Sequence, residues 1–302
     1  MTQSFNSEVN GWVNIYKHEN VTSAGIIREL KKIFKKNKIG HAGTLDPMAT
    51  GILPIAIGEA TKTVQYLHQK NKTYIFNIIF GETKDTDDRT GVTQKTSNRV
   101  PSSKSIEEFL KKYTGIVEQM PPIYSAKKIN GHRAYSIARS GGFPLLKPKN
   151  VEIYNIKKVK EINKKEFVFS VTCGTGTYVR SIARDLGNAL DVCCHVSKID
   201  RIEYGPFNLK NILSIDRLMQ LNRDIDSLRS VVKPIDTVLD DILAVNVSNQ
   251  EACKLKNGLS IYYRDIDKKS SSRKVYTIYS GSIIAICNIE DDFLKPVRVF
   301  NL

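Results

Sequence analysis

The chain has little with which to build a disulfide framework or a metal centre. Its five cysteines, Cys173, Cys193, Cys194, Cys253 and Cys287, are odd in number and contain no C-x-x-C pair. The adjacent Cys193 and Cys194 can bridge only under strain. The pattern excludes a disulfide scaffold and a cysteine zinc site, and predicts core or half-buried thiols in a reducing compartment. Long apolar runs are also missing, which excludes a helical membrane span. The opening residues, MTQSFNSEVNGW, lack a basic stretch followed by an apolar core. No secretory signal is expected, and cytoplasmic residence is the default. No Walker loop and no Ser-His-Asp signature occurs. The G-T-G-T-Y turn at 174–178 is no dinucleotide fingerprint, because its third glycine falls at Val179. DTDDRTG (85–91) opens like a calcium loop, yet its twelfth position is Thr96 rather than glutamate, so a polar turn is predicted.

What is present is ordinary globular composition with an excess of positive charge. The 302 residues are 41% hydrophobic and 25% charged, enough for one large domain and a small one. Lysine and arginine total 46 against 31 acidic residues, a net charge of +15. That balance favours a polyanion partner, while a lysine-rich composition without a specific partner fits it as well. Lys31, Lys32, Lys35, Lys36 and Lys38 suit either reading.

Apolar spacing predicts a helix over 23–36, with Ser23 as its N-cap and lysines toward its C-terminal end. A short helix follows at TKTVQYLH. TYIFNIIF (73–80) reads as a buried strand. A helix over 102–115 is predicted to start on a Ser105–Glu108 capping box and to stop at Gly115. Residues 121–142 interleave Tyr124 and Tyr135 with Lys127, Lys128, His132, Arg133 and Arg139, a pattern suited to phosphates and unpaired bases. Two paired strands are predicted within 151–173, a helix across 174–190 with Arg180 and Arg184 on a neighbouring face, and another helix at 213–221. From Lys233–Pro234 onward the chain reads as short strands.

GHAGTLDPMATGILPIAIG (40–58) combines glycines and prolines around one carboxylate, Asp46. Such composition specifies backbone shape closely. Taken alone, Asp46 followed by proline is as well a turn former as a catalyst. Local chemistry leads only to a basic protein, with RNA as a candidate partner and Asp46 as a candidate carboxylate.

Five segments in order then carry a resemblance. KHENVTS (17–23), GHAGTLDPMATGILPIAIGEATK, KTYIFNIIFGETKDTDDRTG, PPIYSAKKINGHRAY and GTGTYVRSIARDLG resemble the motifs of the TruB family of pseudouridine synthases, over roughly residues 11–215. The resemblance implies an α+β fold: a mixed, mainly antiparallel central sheet flanked by helices in residues 1–233, and a small β-rich PUA-like domain in 234–302. It implies isomerisation of uridine 55 in the T-loop of tRNA, with neither cofactor nor metal. Asp46 matches the catalytic aspartate, Arg180 its arginine partner and Tyr74 the tyrosine that stacks on the flipped base. Tyr178 and Ile199 match residues lining the uracil pocket, and His41 the histidine that occupies the space the base vacates. The partner is then the T-stem-loop of tRNA, with a monomeric enzyme, no membrane and no obligate protein partner. The rival readings are an RNA-guided relative of the same enzymes and a tRNA-folding chaperone without essential catalysis. Four departures stand out, one of them Ile199, which replaces leucine in HVSKIDR (195–201) and nearly conserves volume. His18 and Asn20 replace the proline and glycine of the first motif. Asp200 stands where a basic residue is expected, which predicts a weakened phosphate contact.

Overall fold

A computed structural model describes residues 9–125, 127–129, 131–222, 224–263 and 274–302. The N-terminal MTQSFNSE therefore lies outside the described residues, as do the side chains of Lys128, His132, Arg133 and Arg139.

The described strands, in chain order, are β1 (Gly11–Lys17), β2 (Ile39–His41), β3 (Thr50–Ile57), β4 (Lys72–Phe80), β5 (Glu82–Lys84), β6 (Thr93–Thr96), β7 (Gly115–Gln119), β8 (Lys128–Ile129), β9 (His132–Arg133), β10 (Lys149–Asn163), β11 (Glu166–Cys173), β12 (Cys194–Tyr204), β13 (Phe207–Asn208), β14 (Leu243–Asn246), β15 (Ile261–Tyr262), β16 (Lys274–Tyr279), β17 (Ser282–Glu290) and β18 (Phe293–Val299). The helices are α1 (Ser23–Ile33), α2 (Val64–His68), α3 (Ser103–Lys112), α4 (Ala134–Arg139), α5 (Val179–Leu190), α6 (Ile215–Leu221), α7 (Ile225–Ser230) and α8 (Asn249–Lys256).

Nine strands form the central sheet, in the order β1-β3-β12-β4-β11-β10-β7, with β2 on β3 and β13 on β12. Every pairing is antiparallel except β3 with β12. The reason β4 lies near the middle is visible in its residues. Tyr74, Phe76, Ile78 and Phe80 alternate onto one face and are buried there. They pack against Ile182, Ala183 and Leu186 of α5 and Ile106 and Leu110 of α3. A second, five-stranded sheet runs β14-β16-β17-β18-β15. Its Ile283 and Ile286, with Phe300, share an apolar cluster with Trp12 and Tyr66 of the larger unit. The chain is thus a mixed α+β protein with a mostly antiparallel central sheet and a smaller C-terminal sheet. Among the described residues, no helix is long and apolar enough to cross a membrane.

Several local expectations need correction. Helix α1 is capped by Thr22, whose hydroxyl accepts from the Gly25 N–H. Ser23 is buried and bonds elsewhere, as described below. Helix α3 begins at Ser103 with Ser102 as its cap, so Ser105 is the third helical residue and its N–H is the one satisfied. The helix ends at Lys112, and Gly115, at φ +95°, opens strand β7 rather than closing the helix. Cys173, Cys194 and Cys287 are buried and Cys193 is half-buried, as the composition suggested, but Cys253 is exposed on α8.

Candidate active site

The loop between β2 and β3 carries Asp46, and its shape is imposed from three sides. From the N-terminal motif, the Ser23 hydroxyl accepts from the Leu45 N–H at 3.0 Å and donates to the Leu45 carbonyl at 3.2 Å. Lys17 is fully buried, and its ammonium donates to the carbonyls of Val21, His18 and Pro47 at 2.7, 3.0 and 3.1 Å. Three acceptors saturate the three N–H bonds of an ammonium. Burial lowers the Lys17 pKa to about 8, with the charge of Asp46 opposing, so the group stays cationic near neutrality. From β12, buried Arg201 donates to the carbonyls of Gly43 at 2.9 Å and Ile52 at 2.8 Å. Gly43 sits at φ +67°, and a Cβ there would come within 3.0 Å of the Tyr204 ring. Glycine is required on both counts.

The first-motif departure at Asn20 keeps the loop contact. Asn20 adopts φ +63° and its N–H donates to the Pro47 carbonyl at 2.9 Å. Asparagine tolerates the left-handed region better than most residues, which is how it serves where glycine was expected.

Helix α5 brings the second charge. Arg180 occupies its first turn and is 3% exposed, not a surface residue. Its Nε lies 2.9 Å from Oδ2 of Asp46. Nη1 lies 3.5 Å from Asp88 and donates to the Thr86 carbonyl at 3.1 Å, and Nη2 donates to the Tyr124 carbonyl at 3.0 Å. The guanidinium is therefore spent on one open carboxylate, one enclosed carboxylate and two carbonyls. The Asp46 side chain keeps 37% of its surface accessible, whereas that of Asp88 keeps 5%. Asp88 is held by Thr86 and by both the N–H and hydroxyl of Thr90. Burial pushes the Asp46 carboxyl above the ordinary carboxylate range and Asp88 adds to the push, while Arg180 and Lys17 pull the other way.

An apolar wall stands beside the pair. Tyr74, Ile199, Val179, Leu45 and Met48 belong to one buried cluster. Tyr74 and Ile199 come from the paired strands β4 and β12, and Tyr74 lies opposite Arg201 in that register. Burial raises the Tyr74 phenol above its ordinary pKa, against the pull of Arg201. Tyr178, the N-cap residue of α5, is half-buried, and burial raises its phenol as well. His41 ends β2, opposite Ile55, and is half-buried five residues before Asp46. The structure thus brings Asp46 and Arg180 into direct contact and places Tyr74 and Ile199 in one wall.

Asp200 is engaged within the sheet. It is half-buried, and its Oδ1 accepts from the hydroxyls of Thr50 at 3.0 Å and Tyr16 at 3.4 Å, tying β12 to β3 and β1. One oxygen of this carboxylate thus has an internal hydrogen-bonding role.

Reading the sequence alone misses Asp88, Lys17 and Arg201. Asp88 hides in a segment that looks like a polar turn, although the density of threonines around it signals a carboxylate held by hydroxyls. Lys17 opens a recognisable motif, but nothing local says that its ammonium is buried. A groove of about 620 Å³, lined by Phe80, Lys84, Lys165 and His195, lies at the opposite end of β4 from Tyr74.

Comparison with known proteins bears on this arrangement. Residues 31–179 match the N-terminal domain of the TruB family pseudouridylate synthases, and residues 180–240 match the tRNA pseudouridylate synthase B C-terminal domain. A tRNA pseudouridine synthase B from Bradyrhizobium diazoefficiens is 40% identical over 299 residues, covering 98% of this chain and 87% of that protein. One from Ehrlichia ruminantium is 38% identical over 297 residues, covering 97% of this chain and 99% of that protein. A crystal structure of a Cbf5-Nop10-Gar1 complex contains a chain of similar fold, with a TM-score of 0.70, 23% identity and coverage of 96% of this chain and 84% of that one.

Proposed function

The chain belongs to the TruB family of pseudouridylate synthases, an isomerase family, and on that premise we propose that it converts uridine 55 in the T-loop of tRNA to pseudouridine, with Asp46 as nucleophile. The observation that carries this reading is the 2.9 Å pairing of Arg180 with a carboxylate that remains open on one side.

A stacked nucleotide hides its glycosidic bond, so the target uridine must leave the stack. The flipped base lies against Tyr74 and is enclosed by Tyr178 and Ile199, and His41 occupies the space it vacated. Asp46 attacks, at ribose C1′ or uracil C6, and the C1′–N1 bond breaks. The uracil rotates, C5 bonds to C1′ as the covalent bond to Asp46 breaks and frees its carboxylate, the C5 proton departs and N1 takes up a proton. Atoms and electrons balance within the nucleotide, so the isomerisation calls for neither oxidant nor reductant, and the proposal includes no cofactor or metal. Arg180 offsets the desolvation that would otherwise keep Asp46 protonated.

The proposed partner is the T-stem-loop of tRNA, bound by a monomeric cytoplasmic enzyme without an obligate protein partner. The net charge of +15 supports a polyanion partner, and binding then weakens steeply with salt as counterions are released. The family relatives with 35–40% identity are tRNA pseudouridine synthases B, which favours this reading over an RNA-guided one.

The test is incubation of the purified protein with unmodified tRNA, followed by mapping of pseudouridine. Modification at position 55 that disappears when U55 is replaced by cytidine is the expected result. Absence of modification at 55, without added guide RNA or protein, refutes the proposal. Full activity of Asp46→Asn refutes the nucleophile assignment alone.

A further inference from the structure

Helix α5 starts without a side-chain cap of its own. Its N-cap residue, Tyr178, makes no capping hydrogen bond. The intrahelical bond from the Ile182 N–H to the Tyr178 carbonyl is long, at 3.3 Å. A helix start that carries a charged side chain into a site needs its free backbone groups satisfied from elsewhere.

Gln119, the last residue of β7, supplies that restraint. It is 1% exposed. The Tyr178 N–H donates to Gln119 Oε1 at 2.8 Å, and Gln119 Nε2 donates to the Tyr178 carbonyl at 3.1 Å. A primary amide offers donor and acceptor side by side, as a neighbouring strand would, so one side chain grips both backbone groups of one residue. Nε2 has a second acceptor, the Tyr113 hydroxyl at 3.2 Å, and that hydroxyl donates to Asp185 Oδ2 at 2.5 Å. Asp185 lies on α5 itself, so the chain of bonds leaves the helix at its start and returns to it within two turns. The amide has one workable orientation, since its oxygen faces a donor and its nitrogen faces two acceptors. Next along the chain, the Met120 carbonyl accepts from the Ser181 hydroxyl at 2.8 Å, which extends the same anchorage.

We propose that Gln119 is a positioning residue for the reaction: through the Tyr178 peptide it sets the Tyr178 phenol and the Arg180 guanidinium against Asp46. The assignment rests on the function proposed above. Gln119 touches neither Asp46 nor substrate in this scheme. Its influence passes through the two residues of α5 that do. Tyr113 and Asp185 hold the amide in register from behind.

The test uses the full chain with unmodified tRNA and two variants. Gln119→Leu nearly conserves volume and removes both bonds to Tyr178. Gln119→Glu restores the donor only while the introduced carboxyl is protonated. When ionised it sets a negative charge against the Tyr178 carbonyl and offers it no hydrogen. For Gln119→Leu, assayed well below its unfolding temperature, kcat is expected to fall by about a hundredfold, the scale of a 1 Å misplacement, with KM for tRNA little changed. For Gln119→Glu, assayed at pH values where unfolding measured in parallel shows the variant still folded, activity relative to wild type is expected to fall as pH rises. Wild-type kcat in folded Gln119→Leu overturns the proposal. So does a flat ratio of Gln119→Glu to wild type across pH, and that ratio decides the matter if the leucine variant does not fold. An inactive wild-type protein refutes the functional reading itself. Active wild type with unaffected variants refutes only the role of Gln119.

Discussion

Arg180 Nε and Asp46 Oδ2 stand 2.9 Å apart, and the two partners are unequally buried. The arginine side chain is 4% accessible and the carboxylate side chain 37%. The cation is thus fixed inside the protein and the anion faces outward. That asymmetry suits the nucleophilic role proposed for Asp46: Arg180 is also held by Asp88 and two backbone carbonyls, so it does not depend on Asp46 alone for its place.

Removing the carboxylate separates chemistry from binding. Asp46→Asn is expected to abolish pseudouridine formation while leaving tRNA affinity within a few-fold of wild type. Pseudouridine mapping alongside a binding isotherm at fixed salt checks both halves. Residual turnover near the wild-type rate would contradict the assigned role.

Removing the cation harms both fold and reaction. Arg180→Ala leaves Asp88 buried without its partner, and breaking a buried pair on one side costs about 3 kcal/mol. Denaturant unfolding should show that loss, and activity should fall beyond what the unfolded fraction explains. Arg180→Ala with unaltered stability would show that Asp88 does not depend on it.

The pH dependence of the reaction has a defined sign. Burial first, and Asp88 next in the same direction, raise the Asp46 pKa, so the acid limb of the rate profile lies above the ordinary carboxylate range. Asp88→Asn removes a negative neighbour and should move that limb to lower pH. Single-turnover rates across pH measure it, and a limb that moves upward in the variant would disprove the electrostatic account.

Stability should respond to pH through Asp87. Burial, against the pull of Arg184 and Arg180, raises its pKa to about 6 from 3.8. The folded protein therefore binds this proton more readily than the unfolded chain does. Its contribution is fully present below pH 3.8 and declines as pH rises toward 6. Unfolding free energies of wild type minus Asp87→Asn should fall across that window. A difference that rises with pH there would reverse the assignment.

The loop at Asn20 predicts a size-independent backbone effect. At φ +63°, Asn20→Gly should be close to neutral, whereas Asn20→Val should cost about 1–2 kcal/mol for a left-handed β-branched residue. Denaturation midpoints of the two variants test this, and equal midpoints would exclude backbone strain as the determinant.

Much of the scaffold was legible from the amino-acid order because its causes are local. The alternation of TYIFNIIF specifies a strand with one buried face, and the apolar spacing after Tyr178 specifies a helix. The sequence places the starts of α1 and α3 on Ser23 and Ser105, whereas Thr22 and Ser102 are the caps. At α1 packing decides, because Ser23 is drawn off to the Leu45 backbone.

The sequence by itself determined that Asp46 lies in a loop of constrained shape, and the ordered motifs named the residues that could accompany it. Tertiary structure alone decided which charges meet. Asp46, Asp88 and Arg180 are separated by 42 and 92 residues along the chain, and no local rule brings two carboxylates to one guanidinium. Likewise, only the fold turned Lys17 and Arg201 inward onto backbone carbonyls and sent Asp200 to the hydroxyls of Thr50 and Tyr16. Charge in a sequence has no depth. Whether it solvates, pairs or anchors a loop is set by the desolvation it undergoes when strands and helices distant in sequence close around it.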